Sequence, residues 1–284
     1  MTFSTRFTAL VGCELPLQLA AMGGIGTIEL AAAVARAGGL GMVADRGVAV
    51  AAGSCGANFL IPALPQIEEI SHAARETGLV EFFYGDPDSA LVKAVHAEGA
   101  IAGWQVGSAS EATSAENCGC DYVVVQGVEA GGHVRGTEPL EHVLARTRRA
   151  VSVPVVAAGG VATAERFAEV MRLGADGVRI GTRFVVCPES AAHPDYVDAI
   201  LNATGDDATV LTEWFSDGWE NAPHRVLRTA LDAARQSGWR EVQPPDRDVE
   251  RNPHDMAMYA GTGAADIVSR KSAADTIADL VQHL

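Results

Sequence analysis

Residues 126–136, QGVEAGGHVRG, put Gly127, Gly131, Gly132, Glu129 and His133 into one short turn directly after an apolar run. Glycine has no Cβ, so backbone at such a turn can lie close to a bound molecule. An imidazole is the side chain that most readily exchanges a proton near neutral pH. Together they mark a candidate active-site loop with His133 as its acid/base group. The competing reading is a surface turn whose glycines serve conformation and whose His133 faces water.

Three more glycine sites fall at the ends of apolar runs: Gly23, Gly24 and Gly26 after Ala21-Met22, then Gly159-Gly160, then Gly181 followed by Thr182. The last two suit a phosphate, because N–H groups exposed at a glycine turn and at the start of a helix, with the Thr182 hydroxyl, can cradle a dianion without a lysine. The first does not match the G-x-G-x-x-G dinucleotide spacing. The alternative for any one site is close packing of small residues where strands splay.

The elements that must position these residues alternate along most of the chain. Apolar runs at 17–22, 40–43, 57–61, 80–84, 100–106, 122–125, 153–158 and 177–180 read as eight strands. Helical stretches separate them, except between the second and third, where the link holds no convincing helix. Eight strands with crossover helices predict an α/β fold, a (β/α)8 TIM barrel with chemistry on the loops after the strands and a small appended element after strand eight. An open doubly wound sheet is the alternative. Residues 1–203 are expected to form the barrel core and 204–253 an irregular appended segment. A helix within 254–284 is expected to pack back on the barrel from outside.

The chain has 284 residues, 48% hydrophobic and 20% charged, enough for one large core. A net charge of −15, with only two lysines, argues against nucleic acid or an anionic membrane as partner. Five cysteines, an odd number, fit a reducing compartment, and Cys118-Gly-Cys120 lacks the spacing of a metal or redox pair. No apolar stretch reaches the ~18 residues of a membrane span, so a cytoplasmic protein is expected. Nothing in the sequence defines an oligomer interface, which leaves a homo-oligomer open.

The segments AAMGGIGTIELAAAVARAGGLGMV, GANF, VVVQGVEAGGHVRG, VPVVAAGGV and GADGVRIGTRF, in this order, resemble the nitronate monooxygenases, FMN-dependent TIM-barrel enzymes related to flavin-dependent enoyl-ACP reductases. The resemblance implies FMN as cofactor, with Ala21, Met22 and Gly23 beside it and Met22 along the isoalloxazine. It places Asn58 near the ring and Gln126 in hydrogen-bonding range of it. Gly131, Gly132, Gly159, Gly160, Gly181 and Thr182 become the phosphate and ribityl contacts, and His133 the catalytic base. Departures fall on the substrate side: Ala21 stands where the family commonly has proline, and Val134 separates His133 from Arg135.

The implied reaction is oxidation of an alkyl nitronate, or of the nitroalkane that gives it, by O2. A neutral imidazole with the ordinary pKa of about 6.5 suits removal of the α-proton. If the substrate arrives as the nitronate, His133 positions it instead. An NAD(P)H-dependent enoyl-thioester reductase and a flavin-binding module without turnover remain as alternatives.

Overall fold

The computed structural model describes residues 3–44 and 55–284. The link between the second and third strands therefore lies almost wholly outside the described residues. The elements run α1 (Arg6–Val11), β1 (Leu17–Leu19), α2 (Ile28–Arg36), β2 (Gly41–Ala44), β3 (Cys55–Leu60), α3 (Ile67–Thr77), β4 (Leu79–Phe83), α4 (Ser89–Ala97), β5 (Ile101–Val106), α5 (Ala109–Asn117) and β6 (Tyr122–Gln126). They continue with β7 (Gly132–His133), α6 (Leu140–Ala150), β8 (Val155–Ala158), α7 (Ala164–Arg172), β9 (Gly177–Ile180), α8 (Thr182–Val185), α9 (Pro194–Leu201), β10 (Thr209–Thr212), β11 (His224–Leu227), α10 (Arg228–Ser237) and α11 (Ala273–Leu280).

Eight strands pair in parallel in the order β1-β9-β8-β6-β5-β4-β3-β2. Leu40 closes the ring: its N–H donates to Leu17 O at 2.8 Å and its carbonyl accepts from Leu19 N–H at 2.9 Å. The fold is a (β/α)8 barrel, and its eight strands are the eight runs read from the sequence. β1 is shorter than its apolar run. Ala20 makes the last ladder bond, to Ile180 O at 2.8 Å, so Ala21 and Met22 belong to the loop beyond.

Strands buried on both faces read as unbroken apolar runs, because helices cover one face and the barrel interior the other. Along β4, Val80 and Phe82 face the helices while Leu79 packs inside with Phe7, Met42, Tyr122 and Val156. Helix α1, which the sequence did not announce, plugs the lower end with Phe7; a Thr5–Thr8 capping box starts it. Thr27, Asp88, Ser108 and Thr163 cap the starts of α2, α4, α5 and α7. Because α8 has only four residues, α11 takes the outer position against α7 and α2.

One interior layer is polar. Asn58, Glu81, Gly103 and Tyr122 are successive register partners across β3, β4, β5 and β6, and Gln18 is the partner of Arg179 across β1 and β9. Gly103 makes the layer possible, since a Cβ there would lie 2.3 Å from the Tyr122 ring. Residues 204–253 are more regular than expected: β10 and β11 form an antiparallel hairpin, and β11 pairs in turn with β7 of the histidine loop.

Candidate active site

At the C-terminal end of the barrel strands lies a cavity of about 530 Å³, within the size range of cofactor sites. All twelve residues that the resemblance assigns to the site line it. Ala21, Met22 and Gly23 come from the loop after β1, Asn58 from the middle of β3 and Gln126 from the end of β6. Gly131, Gly132 and His133 come from the following loop. Gly159 and Gly160 follow β8 with φ of 132° and 67°, values open to glycine at little cost. Gly181 and Thr182 end β9 and start α8.

Thr182 Oγ1 accepts the Gly261 N–H at 3.0 Å, which leaves its own proton to donate into the cavity. Gly23 and Gly132 front open space, where a Cβ would touch nothing within 4 Å. Gly131 is the opposite case: a Cβ would meet Gly261 N at 2.5 Å, so the histidine loop lies against the 260–263 backbone.

Gln126 lines the cavity and also braces the loop beside it. Its Nε2 donates to His133 O at 2.9 Å and its Oε1 accepts the Arg135 N–H at 3.1 Å. Both ends of the amide hold the loop that carries the imidazole. From the other side, β11 pairs with that loop, His224 opposite His133 and Arg225 opposite Gly132.

The His133 ring stacks on Trp219, with centroids 3.9 Å apart at 27°, and Tyr84 and Tyr259 approach within 6 Å. Its Nε2 is closed off from solvent and has no hydrogen-bond partner. Burial, with the nearby His224 adding to it, pushes the His133 pKa from 6.5 down to about 3. The ring is therefore neutral throughout the physiological range, a weaker proton acceptor than the ordinary imidazole expected from sequence. Tyr84 sits beside it with φ of 64°, the left-handed region that non-glycine residues seldom occupy.

Several residues prove to be elsewhere. Glu129 does not reach His133; its Oε2 accepts the Leu140 N–H at 3.0 Å at the start of α6. Trp104 faces outward against Phe82, whereas its neighbour Gln105 turns into the cavity. His193 caps α9 through Nδ1, and burial of the Cys120 thiol pushes its pKa up to about 12. Trp219, Arg179 and the cavity-lining Val242 to Pro244 were not assigned to the site from the sequence, because only the folded appended segment and the closed barrel bring them there.

Fold and cavity together define a (β/α)8-barrel enzyme working at the C-terminal rim of its strands. The family model for nitronate monooxygenase matches residues 57–283. The chain belongs to the nitronate monooxygenase family and is a flavin-dependent oxidoreductase. It is 29% identical to a nitronate monooxygenase of Pseudomonas aeruginosa, over 98% of this chain and 99% of that protein. It is 32% identical to the (3aS,4S,5R,7aS)-5-hydroxy-7a-methyl-1-oxo-octahydro-1H-indene-4-carboxyl-CoA dehydrogenase of Mycobacterium tuberculosis, over 84% of this chain and 70% of that one. Among solved structures, FabK from Thermotoga maritima superposes with a TM-score of 0.83 at 28% identity, covering 99% of this chain and 96% of the other.

Proposed function

We propose that the chain binds FMN in the 530 Å³ cavity and oxidises alkyl nitronates with O2. The observation that carries this is the His133 imidazole: it forms part of the cavity wall, is neutral, and keeps an Nε2 that no protein group satisfies. Leaving such an atom unpaired costs about 1–3 kcal/mol, so a small turn of the ring that brings Nε2 to a polar ligand group in the cavity is favoured.

The residues fit a flat heterocycle with a phosphate tail. Met22 offers an apolar surface, Asn58 and Gln105 offer polar contacts, and the open backbone at Gly23 and Gly132 leaves room for close approach. Gly159, Gly160, Gly181 and the free proton of Thr182 are the phosphate-side candidates. When bound, FMN supplies the electron-accepting ring and the reaction with O2. His133, at a pKa of about 3, contributes one N–H and one lone pair at fixed positions, which suits a substrate that arrives already as the nitronate anion. Trp219 and Tyr259 shield the pocket from water on that side.

A second reading, oxidation or reduction of an acyl thioester, is favoured by the CoA-thioester name of the M. tuberculosis relative. Arg179 is the only cationic side chain lining the cavity among the described residues, and it is paired with Glu81. With the glycine and Thr182 donors given to the FMN phosphate, no second set of donors is left for the phosphates of a CoA carrier, which would lie outside the cavity. The deciding experiment mixes the FMN-loaded protein anaerobically with an alkyl nitronate. Bleaching of the flavin band, reversed by air, supports nitronate oxidation; an inert flavin that NAD(P)H bleaches rejects it in favour of the thioester reading.

A further inference from the structure

The polar layer inside the barrel lies directly beneath the cavity, and its hydrogen bonds have only one chemically allowed direction. A carboxylate accepts and a guanidinium donates. Glu81, fully buried, accepts from Asn58 Nδ2 at 2.9 Å, Gln18 Nε2 at 3.1 Å and Tyr122 Oη at 2.8 Å, and forms an ion pair with Arg179. Arg179 donates in turn to Gln105 Oε1 and Gln18 Oε1. Asn58 is thereby fixed with its amide nitrogen turned to Glu81, which leaves Oδ1 as its unpartnered end among the described residues. Gln105 is fixed the other way round, its oxygen turned to Arg179 and its NH2 left over. Both side chains line the cavity, and so does Arg179, whereas Glu81 is wholly covered.

We propose that the Glu81–Arg179 pair is the positioning device of the cofactor floor: it locks Asn58 as an acceptor and Gln105 as a donor toward the cavity, and it turns the cationic end of the pair toward the ligand. The floor then matches a heterocycle that carries both N–H and C=O groups along one polar edge, and it favours a form with extra negative charge there. This inference rests on the flavin reading and adds the residues that set the orientation and redox balance of the ring. A buried pair in water-poor surroundings is expensive to assemble, and removal of one partner leaves an uncompensated charge. Only a paired substitution separates positioning from folding.

The test compares the full wild-type chain with the double variant Glu81→Gln/Arg179→Gln and with Gln105→Glu, which retains an oxygen for Arg179 and replaces the donor by a second carboxylate. FMN affinity is read by fluorescence quenching, and the bound flavin by its visible spectrum and midpoint potential. The expected result is a double variant with wild-type circular dichroism, FMN binding at least tenfold weaker, a shifted flavin band and a lower potential. A tenfold loss in preference for the reduced form corresponds to 29.6 mV for a two-electron couple. Gln105→Glu is expected to weaken FMN binding by a similar factor. Affinity, spectrum and potential unchanged in a folded double variant overturn the proposal. If that variant does not fold, unchanged FMN binding by Gln105→Glu overturns it. Wild-type protein that takes up no FMN removes the cofactor reading and this inference together.

Discussion

His133 and His224 are direct partners across the β7–β11 pair, with ring centroids 5.3 Å apart. His224 is fully buried between Ala222 O, at 2.9 Å from Nδ1, and the Phe215 N–H, which donates to Nε2 at 3.3 Å. A ring that donates from Nδ1 and accepts at Nε2 is neutral, and burial lowers its pKa as it does that of His133. Two imidazoles this close repel when both are charged, and burial disfavours the charge on either.

This neutrality sets the pH profile. With a pKa of about 3, His133 does not change charge between pH 5 and 8. The kcat/KM for a pre-formed nitronate is expected to show no break near pH 6.5. His133→Gln is expected to lower kcat/KM for the nitronate by roughly tenfold, the scale of one lost positioning hydrogen bond, while FMN stays bound. A wild-type limb at pH 6–7 that vanishes in His133→Gln contradicts the assignment.

Acid stability follows from the same residue with a definite sign. The folded pKa lies below the unfolded value of 6.5, so between those values the unfolded chain binds more protons. The stability linked to His133 is complete above pH 6.5 and declines as the pH falls toward 3. Thermal melts from pH 7 to pH 4 are expected to lose less Tm in His133→Gln than in the wild type. Parallel curves rule out the linkage.

Gln126 clamps the histidine loop at both ends of its amide. Gln126→Ala removes two hydrogen bonds and leaves His133 O and Arg135 N–H without these partners, a cost of roughly 1–3 kcal/mol. Activity is expected to fall at least tenfold, with kcat affected more than FMN affinity. If FMN affinity alone changes, Gln126 is a ring contact and not a clamp.

Gly131 has no room for a side chain, because the nearest backbone nitrogen would stand 2.5 Å from a Cβ. Gly131→Ala is expected to push the 260–263 segment away from the histidine loop, lowering Tm by several degrees and weakening FMN binding. Gly132→Ala meets no atom within 4 Å but sits at φ of 76°, so it strains only the backbone and is expected to cost less. Calorimetry on the two variants separates steric from conformational loss.

The barrel was legible because eight strands covered on both sides leave eight uninterrupted apolar runs, and glycines mark where they stop. The cavity-lining positions were legible for the same reason, since strand ends converge on one rim. The polar floor was not. Glu81 reads as a lone acid in an apolar strand, and its partner Arg179 stands 98 positions later, brought near only by ring closure. Trp219 and the β10–β11 hairpin were hidden too: four-residue strands give little periodicity, and β7, two residues long, gives none.

The pairing of β7 with β11 also orders events as the chain is made. All eight barrel strands have been synthesised by Ile180, yet the strand that braces His133 ends at Leu227. Chains fold from the N-terminus as they emerge. The barrel can therefore assemble while its imidazole is still unbraced, and the reactive geometry is completed by a later stretch of polypeptide. Strand pairing and competence are acquired at separate moments, and the barrel itself is covered last, when α11 is added against α2 and α7.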